Sequence, residues 1–237
     1  MYSEEENPWF TKDRSESLST RVPRNLNGIN ISNPALGLNI YEGAISKDDV
    51  DWVIDTLEKN LSKGSSYKWS EAQVTNSNKP IKSARDCSDF KFNDKTLGPR
   101  TEQNSELLNI YEKMYDIVKK CVDDYAKYWG INVTYYEAFN FVKYEGEGQE
   151  FKIHADHGPH YNTTVSIVVY LNEDYDGGEI HFPRLDKLTY TPKAGDIAVF
   201  PSNYIYEHAS LPMKSGRKYC IVIMSDINLL GHPEQKM

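Results

Sequence analysis

The chain has 237 residues, 39% of them hydrophobic and 12% aromatic, and carries a formal charge of -8. That length suffices for one substantial core, and no run approaches the ~18 apolar residues of a membrane span. The negative charge would repel a phosphate backbone, which argues against a nucleic-acid substrate.

Residues 1–34 are polar, contain Pro8, Pro23 and Pro34 and show no sustained periodicity, so an irregular or disordered arm is expected there. Their acidic start, MYSEEENPWF, lacks the basic-then-apolar order of a secretion signal. Cys87, Cys121 and Cys220 are odd in number and form no Cys-x-x-Cys pair, so the reading is a cytoplasmic chain with reduced thiols. Residues 36–41 (LGLNIY) make a candidate first strand. Ser46 opens a capping-box-like start, and Val50, Val53, Ile54, Leu57 and Leu61 follow at helical spacing. Residues 67–74 and 84–92 read as strands joined by a polar loop at 75–80. A long helix is expected from about 101 to 129, with Leu107, Met114, Val118, Cys121 and Tyr125 on one face and Gly130 as its stop.

After Gly130 the period shortens. Residues 131–144, 151–156, 163–171, 179–182, 188–191, 196–200, 206–210 and 218–225 are successive short strands with Gly, Pro and Asn turns. Many short strands in series mean a sandwich or a barrel. The expected plan is mainly β with flanking helices: a supporting region 35–130 and a β core 131–226, within one domain spanning 35–237.

The chemistry concentrates between Tyr144 and Lys218. On a strand, His154 and Asp156 point to the same side and can share one metal ion. A lone His-x-Asp proves little, since about one His-x-[Asp/Glu] is expected by chance among six His and 35 acidic residues; His232-Pro-Glu234 reads as such an accident. The strands that follow, ending in His208 and Lys218, raise the first pair above chance. Two ligands close in sequence and a third on a distant strand make the two-His, one-carboxylate plan, which leaves one face of an octahedral metal open.

Tyr144, the Gly-Gln-x-Phe before His154-x-Asp156, Tyr170-Leu171-Asn172, Gly178-Glu, Pro-x-x-Gly195-Asp, and His208 through Gly216-Arg-Lys218-Tyr219 resemble the catalytic core of the prolyl 4-hydroxylase-like Fe(II)- and 2-oxoglutarate-dependent dioxygenases. The resemblance spans roughly residues 138–226. It implies a double-stranded β-helix, a jelly-roll or cupin-like barrel buttressed by the N-terminal helices; the strand series alone also allows a cupin or lectin. It implies Fe(II) held by His154, Asp156 and His208, with 2-oxoglutarate and O2 as cosubstrates and ascorbate as an accessory reductant. The reaction implied is hydroxylation of an unactivated C–H bond with release of succinate and CO2, on a prolyl residue of a peptide or protein. Tyr170 falls where a family tyrosine bonds the far carboxylate of 2-oxoglutarate, and Tyr144 where one lies near the metal end. Arg85, in Arg85-Asp-Cys-Ser88, loosely matches an Arg-x-Ser strand that frames the substrate groove.

The residues themselves support an anion site at Lys218. Its alternate-position partners on Lys218-Tyr-Cys220-Ile-Val222 are small or apolar, so its charge projects among them and seeks an anion. Arg217 is the rival, but it points to the opposite face of a regular strand. Iron, Asp156, doubly charged 2-oxoglutarate and Lys218 would sum to zero formal charge, which is easier to bury than either half alone. His157 and His160 crowd the loop after Asp156 and are expected on its surface, and His181 in the barrel wall. Competing classes are a zinc hydrolase, whose His-x-His-x-Asp-His pattern fails because Lys152 stands at its first position, a hydroxylase of a free amino acid or other small molecule, and a non-catalytic binding module. Substrate identity and oligomeric state are not written in the sequence.

Overall fold

The computed structural model describes residues 24–228 and 232, apart from 63, 75–78 and 159–161. In chain order the strands are β1 (Arg24–Leu26), β2 (Ile29–Ala35), β3 (Leu38–Glu42), β4 (Ser70–Glu71), β5 (Ser88–Phe92), β6 (Tyr135–Tyr136), β7 (Phe139–Tyr144), β8 (Phe151–His154), β9 (Val165–Tyr170), β10 (Asp176–Gly177), β11 (Ile180–Phe182), β12 (Leu188–Tyr190), β13 (Ile197–Pro201), β14 (His208–Ser210), β15 (Met213–Ser215) and β16 (Lys218–Asp226). The helices are α1 (Lys47–Asn60), α2 (Asp94–Leu97) and α3 (Ser105–Trp129). Strands dominate, and the helices flank them.

A ten-stranded antiparallel sheet runs β1-β2-β3-β13-β9-β16-β7-β5-β4, with β6 on β16. A four-stranded sheet, β12-β11-β14-β8, faces its middle. Strand periodicity explains how one sheet serves two cores. On β9, Val165, Ile167 and Val169 join the cluster shared with α1 and α3, while Val168 and Tyr170 join the cluster between the sheets. On β16, Tyr219, Ile221 and Ile223 take the helical side, and Lys218, Cys220 and Val222 the inner one. Both faces of these strands are covered, which is why their sequences are continuous apolar runs.

Ser46 caps α1 by accepting from the Asp49 amide, and Val50, Val53 and Leu57 turn inward. Gly130 ends α3 in the left-handed region at φ 62°, as its position in the sequence requires. Several expectations are corrected. Residues 24–34, expected in an irregular arm, form β1 and most of β2; residues 1–23 lie outside the described residues. The cause is Asn27-Gly28, at φ 50° and 96°, a two-residue hairpin turn whose backbone only such residues adopt readily. The Arg24 guanidinium then bonds both carboxylate oxygens of Asp124 on α3, at 3.2 and 2.9 Å, and Tyr41 Oη donates to the same carboxylate at 2.8 Å. Residues 67–74 supply only the two-residue β4, and 84–92 only β5 with a single bridge from Arg85 to Phe151. Residues 131–144 split into β6 and β7, and the helix expected from 101 begins at Ser105, after Asn104 has bonded the Thr101 amide. No described helix is long and apolar enough to cross a membrane.

Candidate active site

β8 and β14 are neighbours, and their register sets His154 directly opposite His208. The imidazole centroids lie 4.4 Å apart. Asp156, two residues past His154, brings Oδ1 to 3.4 Å from His154 Nε2 and Oδ2 to 3.8 Å from His208 Nε2. One ligand atom from each of the three lies within 4.8 Å of the others. Each imidazole has its Nδ1 against a backbone carbonyl two residues earlier: Lys152 O for His154 at 2.8 Å, Tyr206 O for His208 at 3.1 Å. A carbonyl only accepts, so Nδ1 carries the proton and Nε2 keeps its lone pair. Both lone pairs then converge beside a carboxylate, which is the donor set a divalent cation of borderline hardness takes.

Protonation agrees with that use. Burial pushes His208 down to about 4, so its ring is neutral at pH 7. Burial alone would raise Asp156, but His208, His154 and the Ser166 hydroxyl outweigh it and hold the carboxyl at about 2. A neutral imidazole and an ionised carboxylate are the ligating forms.

The three residues line a cavity of about 700 Å³ between the two sheets. At its inner end is Lys218, 2% exposed, whose Nζ donates to Gly178 O at 2.5 Å and to Ser210 Oγ at 2.9 Å. Its Nζ lies 5.2 Å from the Tyr144 ring centroid and 5.8 Å from that of Tyr170. The Tyr170 hydroxyl is buried without a partner. Burial also disfavours the Lys218 charge and lowers its pKa. A cation with spare donor capacity beside an orphaned hydroxyl, both walled from water, is an incomplete pair that a carboxylate completes. The Gly178 backbone sits at φ 68°, and a Cβ there would approach Lys218 Cδ to 3.1 Å. Arg217 has no part in this pocket: its side chain is 63% exposed and pairs with Glu145 at 3.4 Å.

Arg85 lies at the mouth, its guanidinium 5.0 Å from the Phe151 centroid and 3.3 Å from Asp89. Glu137, Lys91 and Asn140, none singled out from the sequence, share that mouth. Their signal was weak: Asn140 is a polar residue on the Val142–Tyr144 side of a strand whose other side is Phe139 and Phe141. Ser166 was missed as well. It donates to Asp156 Oδ2 at 2.5 Å from within β9, where the run TTVSIVVYL hid a hydroxyl on the same side as Val168 and Tyr170. His157 is exposed, with Nδ1 3.0 Å from Thr163 O, and His160 lies outside the described residues. His181 bonds Thr189 on the neighbouring strand and is not part of the His154, Asp156 and His208 cluster. His232, read as an accident of composition, contacts Asp226 at 2.9 Å and stacks on Tyr135.

Residues 139–224 match the 2OG-Fe(II) oxygenase superfamily. Over that stretch the β core is similar to the 2OG-Fe(II) oxygenases. The match begins with β7, takes in His154, Asp156, His208 and Lys218, and stops inside β16. No curated protein matches the chain. Among solved structures, a prolyl hydroxylase from Trichoplax adhaerens, in complex with a hypoxia inducible factor oxygen degradation domain peptide fragment, is similar over 95% of this chain and 96% of its own, at 16% identity and a TM-score of 0.64. A Pseudomonas putida prolyl-4-hydroxylase is similar over 79% and 91%, at 19% identity and 0.58. A viral collagen prolyl hydroxylase from Paramecium Bursaria Chlorella virus-1, a 2OG complex, is similar over 80% and 95%, at 19% identity and 0.54. The fold is therefore the double-stranded β-helix of the prolyl hydroxylases. The likeness to these three prolyl hydroxylases is one of fold, and residues 139–224 carry the match to the 2-oxoglutarate-dependent oxygenases.

Proposed function

We propose that this chain is an oxygenase that hydroxylates a prolyl residue within a peptide or protein, with His154, Asp156 and His208 as the iron ligands. The observation that carries the reading is the continuity of one cavity, from an anion-seeking Lys218 past the three-donor cluster to a polar mouth at Arg85 and Glu137. When bound, iron(II) with 2-oxoglutarate and O2 supplies the oxidising power: the oxoacid becomes succinate and CO2, and one oxygen atom enters a substrate C–H bond.

The chain's own groups do the rest. The two Nδ1 bonds to backbone carbonyls fix the tautomer and the ring planes, so both Nε2 atoms stay aimed at one point. Lys218 and the Tyr170 hydroxyl hold the far carboxylate of the cosubstrate, and Tyr144 packs beside its chain. Val168, Ile180, Val222 and the Phe182–Phe200 pair exclude water around them. About 700 Å³ exceeds what a five-carbon diacid fills, leaving the outer part for a substrate segment that Arg85 helps to orient. The three similar solved structures are prolyl hydroxylases, which supports the prolyl assignment, and the first, a complex with a peptide fragment, supports a peptide in that groove. Ascorbate serves by keeping the iron reduced. The three unpaired, buried cysteines accord with a reducing compartment such as the cytoplasm.

The test is incubation with Fe(II), 2-oxoglutarate, O2 and a panel of proline-containing peptides alongside free proline. Succinate release coupled to a 16 Da gain on a prolyl residue is expected with peptides and not with the free amino acid. Coupled turnover of a free amino acid alone would overturn the peptide assignment.

A further inference from the structure

Behind Asp156 lies a chain of buried hydroxyls. Ser166 Oγ donates to Asp156 Oδ2 at 2.5 Å, and Ser202 Oγ lies 2.7 Å from Ser166 Oγ. A hydroxyl has one proton, and an ionised carboxylate only accepts. The Ser166 proton is therefore committed to Asp156, which leaves Ser202 as the donor to Ser166. The polarity runs one way, from Ser202 through Ser166 to the carboxylate. Ser166 is 0% exposed and Ser202 1%, so neither has water as an alternative partner.

The mounting is rigid. Ser166 sits within β9, whose ladder with β13 pairs Ser166 with Phe200, and the Ser202 amide donates to Thr164 O at 3.0 Å. Ser166 belongs to the large sheet and Ser202 directly follows its strand β13, whereas His154 and His208 belong to the small sheet. Asp156 follows β8 on a bend with no strand to hold it. Its carboxylate is thus oriented from the opposite sheet.

We propose that Ser166 is a positioning residue for Asp156: it occupies Oδ2 as a hydrogen-bond acceptor so that the carboxylate offers a metal one oxygen, and Ser202 strengthens that bond by polarising the Ser166 hydroxyl. One-point ligation keeps the positions needed for an oxoacid and O2 free, whereas an unrestrained carboxylate can rotate and chelate through both oxygens. Cooperative strengthening along a hydroxyl chain of fixed polarity is what a buried, water-free site allows. The inference rests on the ligand reading above.

The test is Mn(II) titration of the metal-stripped full chain, following free Mn(II) by electron paramagnetic resonance, with the Co(II) absorption spectrum as a second readout. Ser166→Ala should weaken Mn(II) by about 10–100-fold, the range for losing a partner of a metal ligand. It should also change the Co(II) bands, because the ligand geometry changes. Ser166→Thr keeps the hydroxyl and should restore both readouts; Ser202→Ala should fall between. If Ser166→Ala does not fold, Ser166→Val, matched in shape to the threonine variant, takes its place. Wild-type Mn(II) affinity and Co(II) spectrum in the Ala or Val variant, with binding lost in Asp156→Ala, overturns the role of Ser166 alone. Unchanged binding in Asp156→Ala overturns the ligand reading, and this proposal with it.

Discussion

His154 and His208 form a register pair across the β8–β14 ladder, each with its Nδ1 against the carbonyl of the residue two before it. Among the described residues, their Nε2 atoms have no other strong partner than Asp156. Replacing His208 by Ala should therefore abolish Fe(II) binding and succinate release while the circular dichroism of the chain is kept. Retained stoichiometric iron in that variant would remove His208 from the ligand set.

The same burial makes the metal-free chain sensitive to acid. His208 titrates near 4 when folded, against 6.5 ordinarily. Between those values the unfolded chain takes up a proton that the folded site refuses, so stability falls as pH drops through the window. The loss reaches about 3 kcal/mol near pH 4, at about 1.4 kcal/mol per pKa unit. Asp156, held at about 2 against 3.8 ordinarily, stays ionised in the folded chain and adds to the loss only below about pH 5, where the unfolded carboxyl begins to protonate. Urea unfolding in a chelating buffer at pH 7 and pH 5 measures it; the pH dependence should flatten in His208→Gln.

Tyr170 offers a sharper test of the anion pocket than Lys218 does. Its hydroxyl has no protein partner, so Tyr170→Phe should leave the ligand-free chain at least as stable as wild type. A hydrogen bond to a charged group is worth about 1.5–3 kcal/mol, which predicts roughly ten- to hundredfold weaker 2-oxoglutarate binding. Lys218→Ala should weaken it further. Isothermal titration with Mn(II) in place of iron separates the two, and an unchanged affinity in Lys218→Ala would sink the pocket assignment.

The correction at residues 24–34 can be tested by stability. Asp124 accepts from Tyr41 Oη and from both terminal nitrogens of Arg24, tying β3 and β1 to α3. Asp124→Ala strands a buried tyrosine hydroxyl and should cost about 1–3 kcal/mol by chemical denaturation. An Arg24→Ala chain as stable as wild type would argue that β1 adds little to the sheet.

Gly195 should tolerate no side chain. It sits at φ 86°, its carbonyl accepts from the Ile45 amide, and a Cβ would fall on the Ile45 carbonyl oxygen. Gly195→Ala should lower the melting temperature by several degrees, since positive-φ strain alone costs of order 1–3 kcal/mol. Next to it, Asp196 accepts from Gly43 N at 2.9 Å, Lys193 N at 2.9 Å and Tyr190 Oη at 2.5 Å, so this part of the motif serves the fold.

The core strands were legible because their period is unambiguous: Lys218, Cys220 and Val222 alternate with Tyr219, Ile221 and Ile223 whatever packs against them. The cluster of His154, Asp156 and His208 was legible for a different reason: His-x-Asp keeps two donors close in sequence and only the third needs the fold, although the strand expected over 151–156 ends at His154 and Asp156 follows on a bend. Ser166 could not be read, because a serine in TTVSIVVYL looks the same whether its hydroxyl faces a carboxylate or a carbonyl. The β1–β2 hairpin was readable in principle from Asn27-Gly28 between Leu26 and Ile29. It was obscured by the Pro-rich polar segment around it, which dominates any average over the window. The mouth was hidden for lack of local period: Arg85 reaches Phe151 by a single bridge.

The two halves of the proposed site hang on different sheets, with the imidazoles on the small one and Lys218, Tyr170 and Ser166 on the large. Slippage of one layer over the other would therefore dissolve both halves together. By linkage, the ion and the oxoacid act as rivets between the layers, adding roughly RT ln(1 + [L]/Kd) to whatever holds them closed. Amide exchange in β8 and β14 should then report occupancy of a pocket whose far wall belongs to the other sheet.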